Sequence, residues 1–445
     1  MASTGEIPGV EGVPGGSDES TISIVQRGNL KALEAALRKQ WRLGQNIVLC
    51  WSADERGLLV IFVPHYFLGN YCARVGDGPD AGAEFNNEAF VRELISGRRR
   101  KQRDELFAIA KRLDVAPGFI KLAAPLAEEA PVLNAVEQLI KRYGLSYVSD
   151  RAVLLFDIAE FSLVTPFEQA SQLNSLSYSF NSAYNKLLSR GIEVHFSRTT
   201  TGDGYYVWNR ELGPTANRDL FIFMLLVVAD NAVARAASHG NTVPVIRTAF
   251  HIGSHYELYQ AEGVNPTIHS YIVGDVTIEL ARMVGEALPY QILVGHFESG
   301  LPMDPGDIRQ MSGKVFTPIF IEHCNRALGA IGGVQFAGKV IADIRCYLSG
   351  SSVPGDRRAA RRFVIVDKHG LSRHAYNLQA LVQLQDSSIT LGLDESSLPA
   401  PPRRQPMPAA RRQPDDTGDQ APKQQSEELA TLLQRRRYDV RPDEE

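Results

Sequence analysis

Apolar positions recur at helical spacing in NLKALEAALRKQWRLG, then give way to two short runs, NIVLCWS and GLLVIFVPHYF. Both runs read as strands, the second nearly all apolar. A polar loop rich in Gly and Asp follows, then helical patterns around Asn86 to Leu113 and Val132 to Gly144. No chemical motif stands in this stretch, and the basic run Arg98, Arg99, Arg100, Lys101 reads as a solvated helix face.

Beyond about residue 147 the pattern becomes more regular. AVLLFDIAEFS is a continuous apolar strand that ends at Asp157. Thr165-Pro166-Phe167-Glu168 predicts a capping box with Pro at the first helical position. Phe167, Leu173, Leu176, Phe180, Tyr184 and Leu187 then repeat at helical spacing, and Gly191 supplies the stop. IEVHFSRTT and YYVWN flank Thr201-Gly202-Asp203-Gly204, a hairpin signature. LFIFMLLVVA, from Leu220 to Ala229, reads as a buried helix that stops before Gly240. A membrane span needs roughly 20 such residues, so this run is too short for one. VIRTAFHIGSH is a strand, IVGDVTIELARMVGEA a strand end leading into a helix, and YQILVG a strand. RFVIVDKHG and AYNLQALVQL form a hairpin. Helices and strands alternate, but hairpins intervene, which predicts an α+β sandwich on a mixed or antiparallel sheet.

The ends differ in composition. Residues 1–20 are rich in Gly, Pro, Ser and acids and lack the basic and apolar regions of a signal peptide, so they read as a flexible lead-in. Residues 386–445 turn to Ser, Pro, Gln, Asp and Arg and read as a disordered tail, with SEELATLLQRRR a possible short helix. That leaves an N-terminal α/β region at 21–146 and a larger domain at 147–385.

Of 445 residues, 44% are hydrophobic and 22% charged, enough apolar material for a sizeable core. Forty-seven basic against 51 acidic residues give a net charge of −4, which argues against a nucleic-acid partner. The four cysteines, Cys50, Cys72, Cys324 and Cys346, are scattered without a CxxC pair, the usage of a reduced, cytoplasmic chain. His251 and His255 fall on one strand ~13 Å apart, too far to share a zinc ion.

Two acids carry the candidate chemistry. Asp157 closes a buried strand, and Asp203 sits in a turn 46 positions later (203 − 157). If their strands are neighbours, both carboxylates meet at one rim and make a hard-cation site for Mg²⁺ or Mn²⁺. Two such ions ~4 Å apart suit in-line phosphoryl transfer.

FDIAEFS and TTTGDGYYVW, with IVGDVTIELARM downstream, resemble the motifs of the class III nucleotidyl cyclases, over about residues 147–385. The resemblance implies a ferredoxin-like, palm-type catalytic domain with a mixed sheet and flanking helices. It implies that Asp157 and Asp203 bind two divalent cations, Mn²⁺ or Mg²⁺, with the backbone carbonyl of Ile158. Backbone N–H groups from Ala159 to Ser162, including Phe161 and Ser162, would hold phosphates. Where the family has Gly, this chain has Glu160. The third motif places Arg282 where the family's transition-state arginine stands, with Ile278 four positions earlier in place of an asparagine. Lys368 is the candidate for a late phosphate-binding lysine. In the family these groups meet across two subunits, which implies a homodimer with composite active sites.

The base-reading positions of the family fall on Thr199 and Tyr271, and neither the adenine-specific nor the guanine-specific pair is present. This departure resembles the pyrimidine cyclases of bacterial anti-phage systems, which make cyclic UMP or cyclic CMP for a separate effector protein. The leading expectation is therefore a uridylate cyclase, with CTP as another substrate. A purine cyclase, a degenerate domain acting as a nucleotide-binding regulatory module, and another two-metal palm-type transferase stay open beside it.

Overall fold

Ser23 accepts the Gln26 N–H at 3.3 Å and so opens helix α1 (Ile24–Trp41). The computed structural model describes residues 22–73, 81–262, 265–302, 313–336, 338–349, 360–366 and 372–398. The expected flexible lead-in, Lys368 and the chain beyond Leu398 lie outside the described residues.

Strands β1 (Asn46–Asp54), β2 (Gly57–Pro64) and β3 (Gly118–Lys121) form a small antiparallel sheet in that order. A bulge between Val48 and Cys50 shifts the alternation of β1 by one residue, so Val48 and Trp51 share the face that meets α1 and α5 (Ala130–Arg142). Leu49 and Ile61 instead meet α2 (Phe67–Cys72), α3 (Ala81–Ser96) and α4 (Arg103–Leu113). Covering both faces explains why these strands read as continuous apolar runs.

The basic run is not a solvated helix face. It lies between α3 and α4, and Arg99 is fully buried. Arg99 donates to the carbonyls of Leu49, at 2.8 Å, and of Leu145, and to Ser146 Oγ at 3.2 Å. Those acceptors belong to β1 and to the start of the next strand, so one guanidinium ties the N-terminal region to the larger sheet. Burial of a charge is tolerated there because several donors find backbone oxygens.

The larger sheet is built on β4 (Leu145–Ile158), α6 (Pro166–Leu188), β5 (Phe196–Thr200), β6 (Gly204–Asn209), α7 (Pro214–Ala237) and β7 (Ile246–Glu262). Its central strands run antiparallel in the order β7-β4-β6-β5. This βαββαβ order is the expected ferredoxin-like arrangement. Beyond it come β8 (Asn265–Val273), α8 (Asp275–Glu286) and β9 (Ile292–Gly295), the last parallel to β7. A short ladder of β10 (Glu298–Ser299) and β11 (Val315–Phe316) precedes α9 (Thr317–Leu328). Strands β12 (Gln335–Phe336), β13 (Lys339–Leu348), β14 (Arg362–Val366), β15 (Ser372–Leu384) and β16 (Ser388–Leu391) complete a mixed sheet of 11 strands. The expected β14–β15 hairpin forms, with Val364 opposite His374. The fold is thus α+β, with one large mixed sheet and flanking helices.

Alternation along β4 decides what covers each face. Leu154 and Phe156 join α6, α7 and α9 in the main core, whereas Val153 and Leu155 meet Val276, Leu280 and Met283 of α8. Helix α7 spans 24 residues, long and apolar enough by composition to cross a membrane, so the ten-residue reading understates it. Its segment from Leu220 to Ala229 is instead buried beneath the sheet. The boundary expected at residue 385 also shifts. Ser388–Leu391 pairs with β15, and Leu391 and Leu398 are buried; four residues are too few to show a strand period in the sequence.

Leu145, Tyr147 and Tyr256 pack against the N-terminal helices, so the distal ends of β4 and β7 share that region's core. Just inside them, His255 is 1% exposed beside Arg151 and Glu257. Burial, and then the Arg151 charge, pull the His255 imidazole down to about 4 from an ordinary 6.5. Its folded form stays neutral where an unfolded chain is protonated, so its contribution is present above pH 6.5 and is lost as pH falls toward 4. Between pH 7 and pH 5 the fold should lose on the order of 2 kcal/mol from this group. Thermal melts of wild type and His255→Asn at both pH values check this; an equal acid loss in the variant would assign the sensitivity elsewhere.

Candidate active site

Asp157 lies opposite Gly204 on β6 and opposite Arg247 on β7. That register puts Asp203, one residue before Gly204, at the same strand end. The Ile158 N–H donates to the Asp203 carbonyl at 2.9 Å, which staples the β5–β6 turn to the end of β4. Two glycines make this possible. Gly202 has φ +104°, in the left-handed region that side chains avoid. A Cβ on Gly204 would stand 2.0 Å from the Phe156 carbonyl oxygen, so only glycine lets β6 approach β4 here. The Gly-Asp-Gly sequence is therefore the condition for presenting Asp203 beside Asp157. Thr201 Oγ1 donates to Asp203 Oδ1 at 3.1 Å and holds that carboxylate.

Arg247 completes the cluster. Its Nε donates to Asp157 Oδ2 at 2.8 Å, and its Nη2 donates to the same oxygen. The Asp157 side chain is 13% exposed. Burial pushes its carboxyl above the ordinary range, Arg247 pulls it down, and the neighbouring Asp203 charge pushes it up again; the net shift is upward. Sequence reasoning missed Arg247. It stands at the start of an apolar strand, and only the β4–β7 register makes it a partner of Asp157.

The loop after β4 departs in part from the expected phosphate cradle. The Ala159 N–H already donates to the Val245 carbonyl at 2.8 Å, so it is spent on the sheet. Glu160 has φ 58°, the left-handed conformation that glycine adopts most easily. Phe161, Ser162 and Leu163 form a single 3₁₀ turn. The Phe161 ring packs against the core, whereas Ser162 is exposed. The next helix starts with the expected box: Thr165 Oγ1 accepts the Glu168 N–H at 3.3 Å, and Glu168 accepts the Thr165 N–H at 2.9 Å.

Thr199 on β5 lies opposite Tyr206, which lies opposite Leu155. Leu155 and Asp157 share a face of β4, so Thr199 is on the face that carries the carboxylates. Tyr271 on β8 pairs with Leu258, whose other neighbour is Leu145, the opposite end of β4 from Asp157. Twelve residues of strand, up to about 40 Å, separate those ends (157 − 145). Strands β5 and β8 do approach each other. On α8, Ile278 is 46% exposed and Arg282, one turn further, is half-buried. One chain thus brings Asp157, Asp203 and Arg247 together but does not bring Tyr271 to them.

The acidic donors at the strand end are carboxylate oxygens, which suit hard cations rather than soft ones. Among the described residues no group of three or more His, Cys, Asp or Glu side chains could hold a metal. A hard cation at this strand end would have to rely on Asp157, Asp203 and backbone oxygen.

No family model and no curated protein matches the chain. Solved structures similar to it include the guanylyl cyclase Cya2, at 12% identity over 52% of this chain and 91% of that one, TM-score 0.30. The adenylyl cyclase CyaB from P. aeruginosa is 12% identical over 53% of this chain and 95% of that one, TM-score 0.29. The guanylate cyclase domain of RhGC from Catenaria anguillulae in complex with GTP is 17% identical over 38% and 95%, TM-score 0.27. At such scores the likeness adds nothing to the architecture read from the strand order itself.

Proposed function

We propose that the chain is a nucleotidyl cyclase that converts a pyrimidine nucleoside triphosphate, UTP or CTP, to its 3′,5′-cyclic monophosphate and pyrophosphate. The observation that carries this reading is the β4–β6 register, which sets Asp203 beside Asp157 at one strand end. Asp157, Asp203 and the Ile158 carbonyl would hold two divalent ions, Mn²⁺ or Mg²⁺. Bound there, such ions would neutralise charge at the triphosphate and lower the pKa of the attacking hydroxyl. Arg247, already at this edge, offers a guanidinium to a phosphate oxygen once Asp157 is otherwise engaged. The ribose 3′-oxygen attacks the α-phosphorus, its proton leaves to solvent, and the bond to pyrophosphate breaks. Arg282 stabilises the charge that develops there.

Thr199 and Tyr271 would face the base. A hydroxyl donates or accepts, so Thr199 serves either pyrimidine edge, and the Tyr271 ring fills volume that a purine would need. The separation of Tyr271 from Asp157 within one chain supports a head-to-tail homodimer whose sites take residues from both subunits. We place this enzyme in the cytoplasm, producing a signal for a separate effector in anti-phage defence.

Incubation with each of the four nucleoside triphosphates and Mn²⁺ tests the reading. Cyclic UMP or cyclic CMP is the expected main product. Cyclic AMP or cyclic GMP would remove the pyrimidine assignment and keep the cyclase. A second reading, a nucleotide-binding module without turnover, draws on the exposed Ile278 in place of a hydrogen-bonding side chain. Tight binding with no cyclic product would favour it.

A further inference from the structure

Tyr206 lies on the carboxylate-bearing face of the sheet, directly opposite Thr199 on β5 and Leu155 on β4. Its ring packs against the apolar cluster that seats α8. Its hydroxyl donates to the Thr277 carbonyl at 3.0 Å, in the first turn of α8. The same turn is tightened by Thr277, whose Oγ1 accepts the Gly274 N–H at 3.2 Å and donates to the Gly274 carbonyl at 2.8 Å. Val276, Leu280, Met283 and Val284 hold the helix by apolar contact, Asp275 accepts from Ser254 Oγ on β7 at 2.8 Å, and Glu279 pairs with Arg373 on β15. Apolar contact is non-directional, and the two other polar ties reach β7 and β15 rather than β6. The Tyr206 bond is directional and fixes one point of α8 relative to β6. From that point Ile278 is the next residue and Arg282 the fifth.

We infer that Tyr206 is a positioning residue that sets α8, and with it Arg282, relative to the strand carrying Thr199. This rests on the nucleotidyl cyclase reading for its catalytic consequence and not for its structural one. In the same chain Tyr206 follows the turn that carries Asp203 by three residues. In a head-to-tail dimer it therefore ties the metal-binding hairpin of one site to the arginine helix of the other.

Tyr206→Phe keeps the ring and removes only the oxygen, and the Thr277 carbonyl retains its intrahelical partner, so the fold survives. The expected result is a fivefold to tenfold fall in kcat with Mn²⁺ and the preferred triphosphate, and KM within about twofold of wild type. In an Arg282→Lys background the same substitution should cost less than about twofold, because the position it maintains no longer serves the arginine. Equal losses in both backgrounds, or no loss in either, would overturn the inference. Amide hydrogen exchange gives a readout independent of turnover: residues 275–282 should exchange faster in Tyr206→Phe while α6 is unchanged. If wild type forms no cyclic nucleotide, the functional reading falls, and unchanged exchange in α8 would still sink the positioning role separately.

Discussion

Asp157→Asn is expected to slow cyclic nucleotide formation by at least about a thousandfold while the chain melts within a few degrees of wild type. The two effects separate for a physical reason. Removing one preorganised hydrogen-bond donor to the transition state typically costs about 10²–10³ in rate, and Asp157 is read as holding both cations, so its loss should lie at or beyond that range. Stability depends less on the charge, because burial raises the Asp157 carboxyl and already disfavours its ionised form. Asparagine keeps a carbonyl oxygen for the Arg247 guanidinium, so that group is not left unpartnered in its half-buried place. Product formation and a thermal melt on one preparation check both halves. Turnover within tenfold of wild type would remove Asp157 from the chemistry and, with it, the metal-dependent mechanism.

The second large effect is complementation. Asp157→Asn and Arg282→Ala chains should each be nearly inactive alone. Mixed in equal amounts after dissociation, they should recover about a quarter of wild-type activity. Half of the random dimers are mixed, and each mixed dimer keeps one of its two sites intact, with Asp157 from one chain and Arg282 from the other. The geometry motivates the test: Tyr271 pairs at the Leu145 end of β4, and Asp157 closes the other end. Absence of recovery, with mixed dimers verified by mass, would return both residues to a single chain's site.

Much of the fold was legible locally. The capping box at Thr165, the turn at Gly202-Asp203-Gly204 and the β14–β15 hairpin each follow from contacts within a few residues, and each forms as expected. The readings that needed correction concern long-range pairing. Arg99 looked like part of a solvated charge run because nothing near it in sequence marks the carbonyls of Leu49 and Leu145 as its acceptors. β16 went unseen because four residues carry no period, and only the preformed edge of β15 gives them partners. Arg247 was passed over because an arginine at the head of an apolar strand has no local meaning.

By itself the sequence determined the two acids, the glycines that let a turn present one of them, and the alternation of helix and strand around them. These are matters of backbone sterics and of 2.0 and 3.6 residue periods, which act over a few positions. Only the tertiary structure decided that β6 and β7 flank β4. That choice sets Asp203 and Arg247 on either side of Asp157 and leaves Tyr271 at the far end, because strand register is fixed by packing across the whole sheet.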